Sequence, residues 1–287
     1  MISERTEVQH PSAGRTTVRY VAAAAQYDIA ALDIITGLSD WRMWGRLGWQ
    51  EIKRRYRRTA IGPFWNTLSL GIFMLALGLV WANLWHQDPK VYLPFLTTGL
   101  LAWNLVAAVI SEGCQTFLSG ESLIKQLRFP YSLLACTVVW RNLIVFFHNF
   151  VIFIGVAIFA GLHPKVAMFL TIPGILLVWI NGIWFAMMLG MVCTRYRDVQ
   201  QVVMSILQIS MFVTPIFFTP EQLGPKMTKY FANGNPLFHY VDVIRSPLLG
   251  KLPSRLTYEF VLLATVVGWA VTLWTYSRFR RRLAYWM

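Results

Sequence analysis

The sequence predicts an all-α integral membrane protein with six transmembrane helices, and three observations carry that reading. The 287 residues are 56% hydrophobic and only 14% charged, where a globular domain carries roughly 25% charge. The apolar residues gather into six long runs, and the net charge of +13 collects at their edges. Between the fifth and sixth runs lies a segment too apolar for a freely solvated loop. An N-terminal amphipathic interface helix and re-entrant external helices complete the expected architecture.

Residues 1–40 are expected to form a cytoplasmic tail. The patch Ala22–Ala25 is too short for a secretory signal and is soon followed by Asp28. Residues 41–63 make the interface helix and a turn. Wound as a helix over Trp41–Thr59, they place Trp41, Trp44, Gly48, Trp49, Ile52 and Tyr56 on an arc of about 140°. Arg42, Arg46, Lys53, Arg54, Arg57 and Arg58 lie opposite, and Arg55 is the one charge out of place. An aromatic face with a cationic back suits the membrane interface.

A bilayer core takes ~20 apolar helical residues. Phe64–Trp85, Val91–Ile110, Leu143–Leu162, Val166–Thr194, Val199–Pro220 and the shorter Phe260–Ser277 are the six candidates within a permease domain of 64–277. The third is extended backwards by Tyr131–Trp140, with Arg141 between the two parts. In a span beginning at Tyr131, helix rise would put Arg141 roughly 15 Å deep. Such a charge needs a partner; Glu112 of the second span and the turn at His148 are the options.

Lysines and arginines set the orientation. Met1–Pro63, Ser119–Pro130, Arg195–Asp198 and Arg278–Met287 hold 18 of them, against 7 on the opposite side. The first group is therefore cytoplasmic, both termini included, with residues 278–287 a basic tail. The external segment 219–255 mixes Tyr230-Phe231 and Leu237-Phe238 with five prolines. Short helices dipping back into the membrane fit that mixture, because irregular backbone there must be covered by protein or line a cavity. A plain external loop is the alternative.

Several function classes fall away. A nucleic-acid binder would spread its charge over a soluble fold. Cys114, Cys136 and Cys193 lie in apolar segments without a CxxC pair, and the five histidines have no ligand spacing, so neither a disulfide framework nor a metal site is expected. The carboxylates are too few and too scattered for a catalytic pair, and no nucleophile triad is visible. No GxxxxGK[ST] phosphate loop occurs, so ATP is not bound by that route.

Five stretches in order resemble ABC-2-type permeases that export polysaccharides. They are RRYRRTAIGPFW (54–65), ESLIKQLRFP (121–130), RYRDV (195–199), FVTPIFF (212–218) and NPLFHYVDVIRSPLLG (235–250). The tail is longer than usual, Ile61 stands where Leu is common, and Arg141 interrupts the third span. The resemblance implies a homodimer in the bacterial inner membrane, paired with two copies of a cytoplasmic ABC ATPase that carries ATP and Mg; no cofactor is expected on this chain. It implies a lipid-linked polysaccharide as cargo, such as O-antigen, capsule or a teichoic-acid-like polymer. Small amphiphilic drugs or lipids are the alternative cargo.

Site residues follow from joining that resemblance to chemistry. Guanidinium groups bind pyrophosphate oxygens bidentately, which nominates Arg54, Arg57 and Arg58, next to Gly62, for the carrier headgroup. Sugars stack their CH faces on rings, which nominates Phe73, Trp81 and Trp85 of the first span and Phe212, Phe217 and Phe218 of the fifth as channel lining. Interfacial belts use the same rings. Ser119–Pro130 is expected to hold the small coupling helix, with Glu121, Lys125, Arg128 and Phe129 meeting the ATPase.

Overall fold

A computed structural model describes residues 12–57, 64–127 and 129–287; for residues 12–25, 221 and 223 it describes the backbone alone. Among the described residues there are helices and turns and no strands. Twelve α-helices follow in order: α1 Ser12–Ser39, α2 Trp41–Tyr56, α3 Phe64–Leu84, α4 Pro89–Gly113, α5 Thr116–Ser119 and α6 Glu121–Gln126. Then come α7 Ser132–Ala160, α8 Thr171–Arg195, α9 Val199–Val213, α10 Gly224–Thr228, α11 Pro236–Leu248 and α12 Arg255–Trp286. Arg58, Gly62 and Arg128 lie outside the described residues.

Five of these segments, α3, α4, α7, α12 and Val166–Arg195, are long and apolar enough to cross a membrane. The fifth run of the sequence differs from expectation. It forms only the 15 residues of α9, because Thr214 turns to an extended conformation with ψ 135°. Pro215 follows, and the residue before a proline is pushed out of the helical region. The helix is therefore about 22 Å long by its rise, and the count of six spans does not follow from helix length alone.

Helix α4 is buried along most of its length and forms the hub on which α3, α7, α8 and α11 pack. Its start is fixed chemically: Asp88 accepts from the Lys90 backbone N–H at 2.8 Å, and Pro89 needs no partner at the first helical position. Helix α7 stops at Gly161, whose φ of 67° is the left-handed conformation that closes many helices.

The segment between α9 and α12 folds back onto the bundle as short helices. Asn235 caps α11, its side chain accepting from the Leu237 N–H at 3.0 Å. Most of α11 is buried against α4, α8 and α12. Its Tyr240 hydroxyl donates to Asn181 at 3.0 Å, well inside α8. Arg245 satisfies its charge on the Pro215 carbonyl at 2.5 Å and over the Phe95 ring at 4.6 Å, so the broken backbone after α9 is covered by protein.

The described part of the N-terminal stretch, Ser12–Ser39, is the helix α1. Helix α1 lies against the start of α7 and the end of α12. Its Asp33 side chain, 2% exposed, accepts from the Tyr131 and Ser132 N–H groups, the Tyr276 hydroxyl and Arg280. The basic C-terminal residues are likewise helical, since α12 runs on to Trp286.

Candidate functional site

One end of the bundle is built by α2, the last turn of α4, the first turns of α7 and the start of α9. Helix α2 buries Trp44, Gly48 and Ile52. Gly48 permits the close approach: a Cβ there would meet Trp140 Cδ1 at 2.9 Å. Trp44 packs edge-on to Trp140, with ring centroids 5.5 Å apart. Trp41 and Trp49 remain exposed beside this contact, under Arg42 and Lys53. The predicted aromatic face thus divides into a helix-packing strip and two flanking rings suited to the membrane interface.

This packing shows what surrounds Arg141, the tenth residue of α7. It stands beside Gly48 of α2 and opposite the final turn of α4. Glu112 is its partner: Arg141 donates from Nη2 at 2.7 Å and from Nε at 3.2 Å. Glu51 of α2 is a second partner. Arg55 reaches the other Glu112 oxygen at 3.0 Å, and Asn142 donates to Glu112 at 2.7 Å. Arg55 looked out of place on the helical wheel because it faces this carboxylate. His148 instead turns to the Ile144 carbonyl of its own helix at 2.8 Å.

These charges line a cavity of about 590 Å³, whose remaining wall includes Arg54, Ser111, Gln115, Ser119, Gln200 and Met204. Gln115 donates to Gln200, joining the end of α4 to the start of α9. Three arginines against two glutamates leave the cavity net positive. Arg54 forms no ion pair among the described residues, so it is the lining cation not already matched to a described carboxylate. Arg57 is exposed and also forms no ion pair among them. Sequence reasoning missed Glu51, Gln115 and Gln200; the visible trace was Arg55 and Arg141, two cations where an apolar or lipid-facing residue was due.

The rings nominated for a channel are partly brought together. Trp81 of α3 and Trp85, just past its end, lie 4.8 Å apart, Trp81 stacks near Phe217 at 6.4 Å, and Phe212 meets Phe217 at 5.9 Å. Tyr92 of α4 extends the cluster, edge-on to Trp85 at 5.9 Å, and donates its hydroxyl to the Phe217 carbonyl at 2.6 Å. Phe212 is exposed, whereas Phe217 is buried within the chain. Phe73 stands apart, exposed and without a ring partner among the described residues, and Phe218 packs on the core without one.

Of the residues nominated for coupling, Glu121 and Lys125 fall on α6 and Phe129 beyond its exit. Glu121 and Lys125 pair at 2.5 Å. The Lys125 hydrogen bond and charge hold the Glu121 carboxyl below its usual range, with Arg197 adding to the effect. Phe129 packs edge-on to Tyr131 at 5.9 Å. Among the described residues no group of His, Cys, Asp or Glu is placed to hold a metal ion.

Residues 43–249 match the family described as ABC-2 type transporter. Two similar proteins carry the name O-antigen export system permease protein RfbA. The one from Klebsiella pneumoniae is 20% identical over 228 residues, covering 78% of this chain and 85% of that protein. The one from Myxococcus xanthus is 25% identical over 171 residues, covering 59% of this chain and 65% of that protein.

Proposed function

This chain belongs to the ABC-2 type transporter family, and on that premise we propose that it is the membrane subunit of an ATP-driven exporter of lipid-linked polysaccharide. The observation that carries the reading is the net positive cavity at the foot of α9, in the same chain as a ring cluster at that helix's other end. A phosphate-bearing headgroup suits the first and a sliding glycan suits the second. The names of the similar proteins point to the same cargo class.

Arg54 and Arg57 receive the headgroup at the inner leaflet, while Glu51 and Glu112 hold Arg141 and Arg55 in place. The glycan then passes along α3 and α9 over Trp81, Trp85 and Phe212. Two copies of the chain form the channel. In support, α9 buries only Leu207 within its own chain and leaves Val202, Ile209 and Phe212 exposed, and α3 similarly exposes Leu68, Ile72 and Leu79. Both termini are cytoplasmic, and α9 with the turn after it counts as the sixth span. Energy enters through α6 from a separate ABC ATPase, which supplies ATP hydrolysis with its Mg.

The test is hydrolysis by the permease–ATPase complex of the source organism in nanodiscs, with and without a polyprenyl-pyrophosphate glycan. The glycan stimulates the wild-type complex. Arg54→Glu with Arg57→Glu removes that stimulation and leaves insertion and ATPase retention intact. Unchanged stimulation in the double variant overturns the docking role. Stimulation by small amphiphiles alone would transfer the reading to drug or lipid export.

A further inference from the structure

A second cavity, of about 380 Å³, lies between the cytoplasmic ends of α8 and α12, away from the charge cluster and from α3 and α9. The two helices run in the same direction. Asn181 donates to Thr265 at 2.7 Å, and Gly268 lies so close to Trp184 that a Cβ would meet its ring at 2.2 Å. Further along both chains, the Arg195 guanidinium sits 4.9 Å from the Trp286 ring. The cavity begins at Met188, one turn beyond the tight contact, where the helices part.

Its wall and its mouth differ in chemistry. Met188, Met191 and Phe279 make the wall apolar, while Arg195 and Arg282 stand at the mouth. Each arginine follows an upper lining residue by seven positions, Met188 on α8 and Thr275 on α12. Seven helical residues rise about 10 Å, so an apolar trough of about that length leads to two guanidinium groups, one on each helix. Neither forms an ion pair among the described residues. Arg195 is held flat by Trp286 and by the Tyr196 hydroxyl at 3.1 Å, which engages Nε and leaves the two Nη groups for an incoming acceptor.

We propose that this trough binds an anionic phospholipid of the cytoplasmic leaflet, with its phosphodiester between Arg195 and Arg282 and an acyl chain beside Met188, Met191 and Phe279. The charge is complementary, and guanidinium groups bind phosphate oxygens bidentately. The trough is continuous with the lipid-facing apolar surface of the two helices, where Val192, Val271 and Trp274 are exposed. Basic pockets between transmembrane helices on the cytoplasmic side bind acidic headgroups by this combination. The site depends on membrane insertion and not on which cargo is exported.

Native mass spectrometry of the purified full chain, delipidated and then given phosphatidylglycerol or phosphatidylethanolamine of matched acyl chains, tests the site. Wild type retains phosphatidylglycerol selectively and gains thermal stability from it. Arg195→Gln with Arg282→Gln weakens retention roughly thirtyfold and abolishes the thermal gain, while Arg281→Gln, an exposed arginine outside the cavity, leaves both unchanged. Each single variant gives an intermediate loss, which keeps the test readable should the double variant fold poorly. Wild-type retention in the double variant overturns the proposal, as does equal loss in Arg281→Gln, which would indicate general surface charge. Displacement of the lipid by inorganic phosphate alone would reassign the cavity to a soluble anion. Loss of a co-purifying ATPase with lipid retention unchanged would make the face a subunit contact.

Discussion

Replacing Asp33 by alanine should release α1 from the bundle without unfolding the bundle itself. The carboxylate caps α7 from another helix, accepting from the Tyr131 and Ser132 N–H groups at 3.2 Å each and from the Ser132 hydroxyl at 3.0 Å. It also accepts from Tyr276 at 2.9 Å and from Arg280 at 3.0 and 2.7 Å. Removing one partner of a fully buried ion pair costs about 3–5 kcal/mol. Arg280 keeps a 27% exposed side chain, so water recovers part of that, and about 3 kcal/mol is the appropriate scale once the lost cap is included. The loss falls locally, because the buried positions among the described side chains of α1 are Ala30, Asp33, Ile34 and Gly37, all within its last three turns. At roughly tenfold per 1.4 kcal/mol, opening of the α1–α7 junction should rise about a hundredfold. Hydrogen exchange in nanodiscs reads this directly at amides 28–39 and 131–134. Protection in Asp33→Ala within a factor of three of wild type would refute the assignment of Asp33 as the clamp.

Two further perturbations have defined outcomes. Glu112→Gln removes the carboxylate shared by Arg55 and Arg141 and leaves two arginines facing one acid, Glu51; stability should fall by about 3 kcal/mol, read as a lower melting temperature, with the Arg55→Met background recovering part of it. Gly268→Ala forces a methyl group into Trp184 at 2.2 Å and should cost about 1–3 kcal/mol; pairing it with Trp184→Phe should recover part of that loss in the same melting experiment.

The charge-free runs were legible because a bilayer tolerates few alternatives to an apolar helix, and α3, α4, α7 and α8 lie where those runs predict. Composition does not by itself end a helix: Val199–Pro220 reads as one run, yet Pro215 disfavours helical geometry at Thr214 and stops α9 early. The Glu112–Arg141 pair was legible because each is a rare charge within an apolar region, so each needs the other. Glu51 was not, since on a helix rich in Lys and Arg a lone glutamate has many candidate partners. Asp33 was hidden more deeply. Its partners Ser132 and Arg280 are 99 and 247 positions away, and nothing in local periodicity links them.

Two carboxylates, Glu112 and Asp33, tie together the helix ends on either side of α6. Helix α6 has only short connections to its neighbours: α4 ends at Gly113 before it and α7 begins at Ser132 after it. Glu112 ties the first of these junctions to α2 and to the third turn of α7, and Asp33 ties the second to α1 and α12. A push on α6 therefore meets two clamped helix ends rather than loose loops. Each clamp is a carboxylate with several charge-assisted donors, the stronger kind of hydrogen bond. The clamped ends belong to α4, α7 and α12, and α9 is joined to the same layer through Gln115 and Gln200. That join matters because α9 is only 15 residues long and has Leu207 as its one buried residue. Of the helices that meet the cavity, it is the one with the fewest internal contacts to resist displacement.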